Sequence, residues 1–351
     1  MIPARPNRSG RSEDGGWVMT KIMLRFLLVA ALVLCALPGC GPGKGVTGDK
    51  PETTGRPAQE AEGTAPRNVA EAAAASVDES SIRTHLARLT GASPAPLDSR
   101  EVTISERGTE SGRRAAAGYM KSSFEEMGIP ARIHEFRSGG LRGFNVEATL
   151  RGTGDGRHLW VTAHLDSVHN AGANDDASGL TSILLTAKAL EEIGPEHTVH
   201  FVAYDLEEVG LYGSTHYMEN TVKSILEREG ERAIIGALQS DMIAYEEDEF
   251  DAVLGTCGRA GPIDDALSRA AEEIDSPLVL RELCLGRSDH ESFWDAGLPA
   301  AVLTDGAIYD GYPCYHMPCD TVDELNISYL RSMIQLTAAA TALLAAPQGE
   351  S

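Results

Sequence analysis

The chain has 351 residues, with 30 lysines and arginines against 52 aspartates and glutamates, so its formal net charge is −22. Such an acidic chain argues against nucleic acid as a partner, because phosphate binding requires a basic face. The charge does not exclude a small substrate, because net charge affects solubility and association rather than fold.

The first 39 residues have the pattern of an export signal. Lys21 and Arg25 precede an apolar run that is too short for a bilayer, which takes about 20 residues to span. The run leads to Pro38-Gly39-Cys40, which resembles a bacterial lipoprotein signal with a lipidated cysteine. We expect export to the periplasmic or cell-surface side, with membrane contact only through this anchor. Ordinary secretory cleavage and an uncleaved N-terminal anchor are the alternatives.

Residues 40–75 are rich in Gly, Pro, Thr, Glu and Ala and have almost no large apolar side chains, which predicts a flexible tether. Residues 76–347 then form one predicted domain, because no linker or repeat divides them. An even number of cysteines in an exported chain favours disulfides. Beyond Cys40 there are four, Cys257, Cys284, Cys314 and Cys319.

Hydrophobic periodicity predicts strands that alternate with helices along this domain. In chain order we predict helices over 76–89 and 109–128, strands over 131–136, 144–150 and 158–163, a helix over 180–193, a strand over 197–204, a helix over 214–228, strands over 233–238 and 250–254, a helix over 262–274, strands over 278–283 and 300–303, and a helix over 328–346. This alternation predicts an α/β fold whose mixed sheet is mostly parallel and carries helices on both faces.

Polar residues follow the central predicted strand. His164 and Asp166 come directly after it, and the Gly-rich loop beyond them carries Asp175 and Asp176 just before a helix. Ligands of open α/β sheets bind outside the carboxyl ends of the strands, which makes these residues candidates for a metal site. The alternative is that they are ordinary loop residues and that the Asp pair caps the helix.

Later strand ends carry the same residue types. Glu207 and Glu208 follow the next strand, Asp241 follows the one after it, and His316 lies in the last long loop. Successive placements of histidine and carboxylate at strand ends are hard to explain by solvation alone. The pattern therefore favours a metal site at this edge of the sheet.

At these positions the sequence resembles the secreted bacterial double-zinc aminopeptidases, whose family also contains glutaminyl cyclases, glutamate carboxypeptidase II and the transferrin receptor. The resemblance covers about residues 76–346. It is carried by AHLDS at 163–167, GANDDASG at 172–179, AYDLEEVGLYGS at 203–214, LQSDM at 238–242, RSDH at 287–290 and YHMPCDT at 315–321. Together these motifs are highly specific. They imply a single zinc-aminopeptidase-like domain with its metal site at the carboxyl ends of the strands.

The resemblance implies two Zn²⁺ ions per chain and five ligands. His164 and Glu208 match ligands of one metal, Asp241 and His316 match ligands of the other, and Asp175 matches the carboxylate that bridges them. Imidazole and carboxylate ligands suit zinc and leave room for a water molecule.

The resemblance also implies roles for residues beside the ligands. Glu207 matches the general base, and Asp166 matches the carboxylate that orients the ring of His164, for which a turn acid is the alternative. Tyr315 matches a hydrogen-bond donor to the developing oxyanion, for which a packed aromatic is the alternative. Asp289 either supports the site or caps the helix that follows it.

Two further features follow from the same family. The Asp175–Asp176 peptide bond is expected to be cis. The loop around His316 is expected to be closed by a disulfide between Cys314 and Cys319. With that pair assigned, Cys257 and Cys284 are expected to form the second disulfide.

The implied activity is metal-assisted peptide hydrolysis, with an aminopeptidase acting on peptide substrates as a monomer. A carboxypeptidase, a dipeptidase or an amidase is the first alternative, because specificity lies in loops that the motifs do not cover. Glutaminyl cyclases and non-catalytic binding modules are further alternatives, but they usually lack part of the ligand set. This chain keeps all five ligands and the base, which favours a hydrolase.

Overall fold

The computed structural model describes residues 67–345 except 98–99, 155, 247–249 and 308–310. The predicted export signal, Cys40 and most of the predicted tether lie outside these residues. The described part confirms the predicted α/β class, with a mixed sheet and helices on both of its faces. None of the described helices is long and apolar enough to cross a membrane.

Ten strands are present in the described residues, and eight of them form the central sheet. β1 (Ala95–Leu97) and β2 (Arg100–Val102) pair separately. The sheet contains β3 (Ala131–Ser138), β4 (Leu141–Leu150), β5 (His158–His164), β6 (Thr198–Tyr204), β7 (Ile234–Ser240), β8 (Asp251–Gly255), β9 (Val279–Leu283) and β10 (Ala300–Asp305). Its strand order is β3-β4-β6-β5-β7-β10-β8-β9.

The middle of the sheet is parallel and its flanks are mixed. β6, β5, β7 and β10 run parallel to one another, as do β8 and β9, whereas β3 with β4, β4 with β6, and β10 with β8 are antiparallel. β7 and β10 are buried along their whole length. Burial on both faces is the setting that parallel strands require. The carboxyl ends of β5, β6 and β7 therefore meet at one edge of the sheet.

Alternate residues of β5 show how the helices cover the two faces. Leu159 and Val161 belong to the larger apolar cluster, and Trp160 belongs to the smaller one on the opposite face. The larger cluster is formed with α1 (Val69–Ala75), α2 (Glu79–Leu89), α3 (Glu110–Glu126), α4 (Ser178–Ile193), α7 (Pro262–Glu273) and α9 (Ile327–Ala345). The smaller cluster is covered by α5 (Tyr212–Tyr217), α6 (Lys223–Glu229) and α8 (Glu291–Asp295).

The prediction that residues 40–75 form a flexible tether is wrong for the last residues of that range. Val69–Ala75 is helix α1, which begins after Asn68, whose side chain accepts a hydrogen bond from the backbone of Glu71. Its buried face consists of alanines, which pack against α9. Alanine is a strong helix former with a small side chain, so this contact needs none of the large apolar residues that sequence periodicity detects.

Both expected disulfides are present in the structure. Cys257 and Cys284 follow the parallel neighbours β8 and β9 and are joined with their Cα atoms 4.0 Å apart. Cys314 and Cys319 close the loop that contains His316. The first disulfide ties the ends of two strands together, and the second restrains the backbone on both sides of a candidate ligand.

Candidate metal centre

Two histidine rings face one carboxylate at the carboxyl edge of the sheet. His164 is the last residue of β5, and its Nε2 lies 2.9 Å from Oδ1 of Asp175. Nε2 of His316 lies 3.3 Å from Oδ2 of the same carboxylate. Asp175 thus presents one oxygen to each imidazole, which is the arrangement required of a bridging ligand. The cis peptide bond expected between Asp175 and Asp176 is present.

Each imidazole also has a second carboxylate. Nε2 of His164 lies 3.7 Å from Oδ1 of Asp241, and Nε2 of His316 lies 3.0 Å from Oε2 of Glu208. These contacts pair His164 with Asp241 and His316 with Glu208, which differs from the predicted grouping of His164 with Glu208 and Asp241 with His316. His164, Asp175 and Glu208 also lie close enough together to hold one ion. Asp241 follows β7, the parallel neighbour of β5, and this neighbour brings its carboxylate to His164.

The donor set fits a pair of zinc ions. The five candidate ligands supply imidazole nitrogens and carboxylate oxygens, which are zinc ligands of ordinary type. Oε1 of Glu208 is buried and has no hydrogen-bond partner among the described residues. A buried carboxylate oxygen without a partner is costly in a folded protein unless a cation satisfies it.

Asp176 has a different task from its neighbour, although it also lies near His164 and Asp241. Its carboxylate accepts hydrogen bonds from the backbone amides of His164, Gly179 and Met242. These contacts hold the start of α4 against the strand ends. Asp176 thus bonds to the backbone of the first turn of α4, although the N-cap residue itself is Ala177, and Asp175 is left to face the imidazoles.

Asp166 links the ring of His164 to the two neighbouring glutamates. Its Oδ1 is 3.7 Å from Nδ1 of His164. Its two oxygens also accept the backbone N–H groups of Glu207 and Glu208, at 3.0 and 3.2 Å. One buried carboxylate therefore lies beside the ring of a candidate ligand and holds, through hydrogen bonds, the backbone that carries the candidate base.

The environment of Glu207 favours its protonated form when no cation is near. Burial raises the pKa of the Glu207 carboxyl well above its usual range, while nearby His164 lowers it; Asp289, Asp241 and Glu208 raise it further. Cations bound among these ligands would act in the opposite direction. Burial likewise raises the pKa of Glu208, to about 7.

Asp289 lies fully buried next to the same groups. Burial raises its pKa to about 7, and it interacts electrostatically with Asp166 and Asp241. The start of α8 has no side-chain capping hydrogen bond, so the capping alternative for Asp289 does not hold. His290 is buried edge-on against Trp294 and bonds to the carbonyl of Leu285, which is a packing role.

Tyr315 stacks on the ring of His316, with their centroids 3.8 Å apart and an interplanar angle of 28°. Burial and the carboxylates of the site, beginning with Asp175, raise the pKa of its phenol. The hydroxyl therefore stays protonated and can donate a hydrogen bond. His316 itself has a φ of 56°, a left-handed conformation that is uncommon for a residue with a side chain. The disulfide-closed loop holds it there.

Arg107 is a structural residue of the site that sequence reasoning missed. Its guanidinium is fully buried and donates to the backbone carbonyls of Leu89, Leu165, Ala171 and Gly172. Three of these carbonyls belong to the segment between His164 and Asp175. The partners are backbone carbonyls, which every residue type has, so the sequence pattern could not reveal these contacts.

Asp320 holds the same loop from the other side. Its carboxylate accepts the backbone N–H groups of Asn174 and Asp175, at 2.7 and 3.1 Å, and the hydroxyl of Tyr312 at 2.8 Å. In the sequence, this role of Asp320 is indicated only by the position of the residue in the YHMPCDT motif. Gly172 begins this loop with a φ of 60°, and a Cβ there would lie 2.7 Å from Nη2 of Arg107. The loop therefore requires glycine at this position.

Asp305 is a buried carboxylate outside the ligand set, and it leads to a prediction about pH. It accepts hydrogen bonds from Asn174 and from the backbone of Tyr245 and Ala307. Burial raises its pKa from 3.8 to about 8. The folded state therefore binds a proton more tightly than the unfolded chain, and this stabilisation is fully present below about pH 4 and is lost as the pH rises through 8.

We expect Asp305→Asn to flatten the pH dependence of unfolding. Between pH 5 and 7, Asp305 contributes a slope of up to about −1.4 kcal/mol per pH unit to the free energy of unfolding, and asparagine cannot contribute it. Urea unfolding of the zinc-loaded proteins at several pH values measures this slope. Asp295→Asn, at an exposed position, is the matched control and should follow the wild type. Parallel curves for wild type and Asp305→Asn would contradict the assignment.

Comparison with known proteins identifies the family. The model of Peptidase family M28 matches residues 145–341, more than half of the chain, so the chain belongs to this family. Leupeptin-inactivating enzyme 1 of Streptomyces exfoliatus is 29% identical over 242 residues, covering 61% of this chain and 51% of that protein. Aminopeptidase YwaD of Bacillus subtilis is 31% identical over 189 residues, covering 52% and 40%. This chain thus spans about half the length of these relatives or less.

The fold is shared with solved aminopeptidase structures. The zinc aminopeptidase from Bacillus subtilis superposes with a TM-score of 0.67 at 16% identity, covering 78% of this chain and 97% of that one. At this identity the likeness concerns the fold alone. It confirms the predicted zinc-aminopeptidase-like architecture.

Proposed function

We propose that this protein is a zinc-dependent aminopeptidase that removes N-terminal residues from peptides. The observation that carries the proposal is the carboxylate of Asp175, which presents one oxygen to each of two imidazoles at the carboxyl edge of the sheet. Membership of Peptidase family M28 supports hydrolysis of an amide bond, and the aminopeptidase among its relatives supports the N-terminal direction. The two disulfides support an exported protein, because such bonds persist in oxidising compartments.

The contacts in the site support a proposed grouping of the ligands around two ions. His164 and Asp241 would hold one, His316 and Glu208 would hold the other, and Asp175 would bridge them. Bound zinc supplies an acidic water and polarises the scissile carbonyl. This assignment keeps the five ligands that the sequence predicts and changes only their grouping.

The remaining steps belong to the side chains beside the ligands. Glu207 takes a proton from the attacking water and passes it to the leaving amine, which is general base and then general acid catalysis. Tyr315 donates a hydrogen bond to the oxyanion of the tetrahedral intermediate. The carboxylates around the site favour a substrate with a cationic N-terminus, which distinguishes a free peptide from a blocked one.

The proposal is tested with a pool of peptides, half of them free and half N-acetylated, incubated with the zinc-loaded protein. Mass spectrometry follows the products. We expect stepwise loss of N-terminal residues from the free peptides alone, and loss of this activity with a chelator. Removal of C-terminal residues, or equal cleavage of the blocked peptides, would keep a zinc hydrolase but reject the aminopeptidase. Absence of any cleavage with zinc bound would favour an amidase that acts on a non-peptide substrate.

A further inference from the structure

A second cavity lies at the opposite edge of the sheet from the metal centre. It has a volume of about 1100 Å³ and is lined by the first residues of β5 and β6, by β3 and β4, and by residues 220–228. His158 begins β5 and His164 ends it, so the cavity and the candidate metal ligands are about 20 Å apart along one strand. A ligand here would not touch the proposed peptidase site.

The lining of this cavity is cationic, although the chain as a whole carries a formal charge of −22. The basic residues come from four strands or their ends and from α6, and they are Arg132, His134, Arg151, His158, His200 and Arg228. Among the described residues that line the cavity, Glu147 is the single carboxylate. With neutral histidines the lining therefore has a formal charge of +2, from three arginines and one glutamate. Beside the lining, the carboxylate of Glu229 lies 3.0 Å from His158 and 3.7 Å from Arg228, which leaves Arg132 and Arg151 as the arginines without that neighbour.

Glu147 does not cancel the attraction of the cavity for an anion. It is 2% exposed, and it is already bonded to His134 at 2.7 Å, His200 at 3.0 Å and Arg132 at 2.7 Å. Although burial acts in the opposite sense, these hydrogen bonds hold the pKa of Glu147 well below its usual range. Its charge is thus satisfied at the floor of the cavity, while the guanidinium of Arg132 stays 64% exposed.

The opposite wall offers polar groups of small size. Asn220, Thr221 and Ser224 line the cavity from the helical segment that covers this face, and Thr198 lines it from β6. Hydroxyl and amide groups beside guanidinium groups are typical partners of oxyanions. Guanidinium groups match both carboxylates and phosphates. Arginines that come from separate elements can bond an anion from several directions, as the oxygens of a tetrahedral phosphate allow.

We propose that this cavity binds a small phosphate-bearing molecule. The volume exceeds the needs of a single phosphate ion and lies slightly above the range of about 300–1,000 Å³ that is usual for pockets of small organic ligands. The site is separate from the proposed hydrolysis and does not depend on it.

Isothermal titration of the zinc-loaded protein with pyrophosphate tests the proposal, with citrate as the carboxylate probe. We expect pyrophosphate to bind and the double variant Arg132→Gln, Arg228→Gln to bind it at least tenfold more weakly. Arg228→Gln alone serves where the double variant does not fold, because the side chain of Arg228 is 60% exposed and its loss leaves the floor of the cavity intact. Arg269→Gln, at an exposed position on α7, is the matched control and should bind like the wild type.

The variants separate this site from the metal centre, which can also attract phosphate. Binding that persists in the arginine variants but is lost in His316→Ala would place the anion on the metals and overturn the proposal. Equal affinity for citrate would overturn the assignment to phosphate. Absence of pyrophosphate binding to the wild type at millimolar concentration would overturn the site itself.

Discussion

Glu207→Gln is expected to lower kcat by about 10²–10⁴-fold while the zinc content stays at the wild-type level. Glutamine keeps the size of the side chain but cannot take a proton from water. The backbone of Glu207 is held by Asp166, so the substitution leaves the neighbouring ligand Glu208 in place. Steady-state kinetics on a free peptide, together with metal analysis of the same sample, measures both quantities.

Two further glutamates make this prediction specific. Glu208→Gln alters a proposed ligand and should lower the affinity for zinc as well as the turnover. Glu219→Gln, at an exposed position between α5 and α6, should change neither quantity. If Glu207→Gln keeps wild-type turnover, Glu207 is not the base. If it loses zinc as Glu208→Gln does, its role is that of a ligand.

The candidate site residues at the strand ends could be predicted because histidines and carboxylates directly follow apolar strands in the sequence. His164 and Asp166 directly follow an apolar strand, and the two glutamates directly follow the next one. A parallel sheet brings such ends to one edge, so sequence order and the rule for α/β sheets were enough to bring these residues together. The family resemblance then separated Asp175 from Asp176, which the residue pattern alone could not do.

The grouping of the ligands could not be predicted in the same way. β5 lies between β6 and β7, so strand order places both Glu208 and Asp241 within reach of His164. The loop of His316 determines which carboxylate pairs with His164. This loop comes from a late part of the chain and places His316 beside Glu208, which leaves Asp241 beside His164. A loop closed by a disulfide has no periodicity from which its path can be predicted.

The N-terminal boundary of the fold was missed for a related reason. α1 is held by the contact of its alanines with α9, a helix more than 250 residues later in the chain. Low hydrophobicity is typical of a tether. Alanine adds little hydrophobicity, so a helix whose buried face is made of alanines has the composition of a tether. The pattern therefore described the composition correctly and the structure wrongly.

Arg107→Met is expected to lower the free energy of unfolding of the metal-free protein by about 3 kcal/mol or more. The substitution leaves the carbonyls of Leu89, Leu165 and Ala171 without their side-chain donor, whereas that of Gly172 keeps the N–H of Ala177. Each buried unsatisfied polar group costs about 1–3 kcal/mol. It also removes a positive charge near several carboxylates of the site, beginning with Asp176 and Asp320. Both losses act on the segment that connects His164 to Asp175.

Two companion variants show which property of Arg107 matters. Arg107→Lys keeps the charge but offers a compact ammonium in place of a planar fork, so it should recover only part of the loss. Arg83→Met, on the exposed surface of α2, should stay within about 0.5 kcal/mol of the wild type. Urea unfolding without metal measures all three. A loss for Arg107→Met no greater than for Arg83→Met would show that water replaces the guanidinium, and the loop would then owe its position to Asp320 and Asp176.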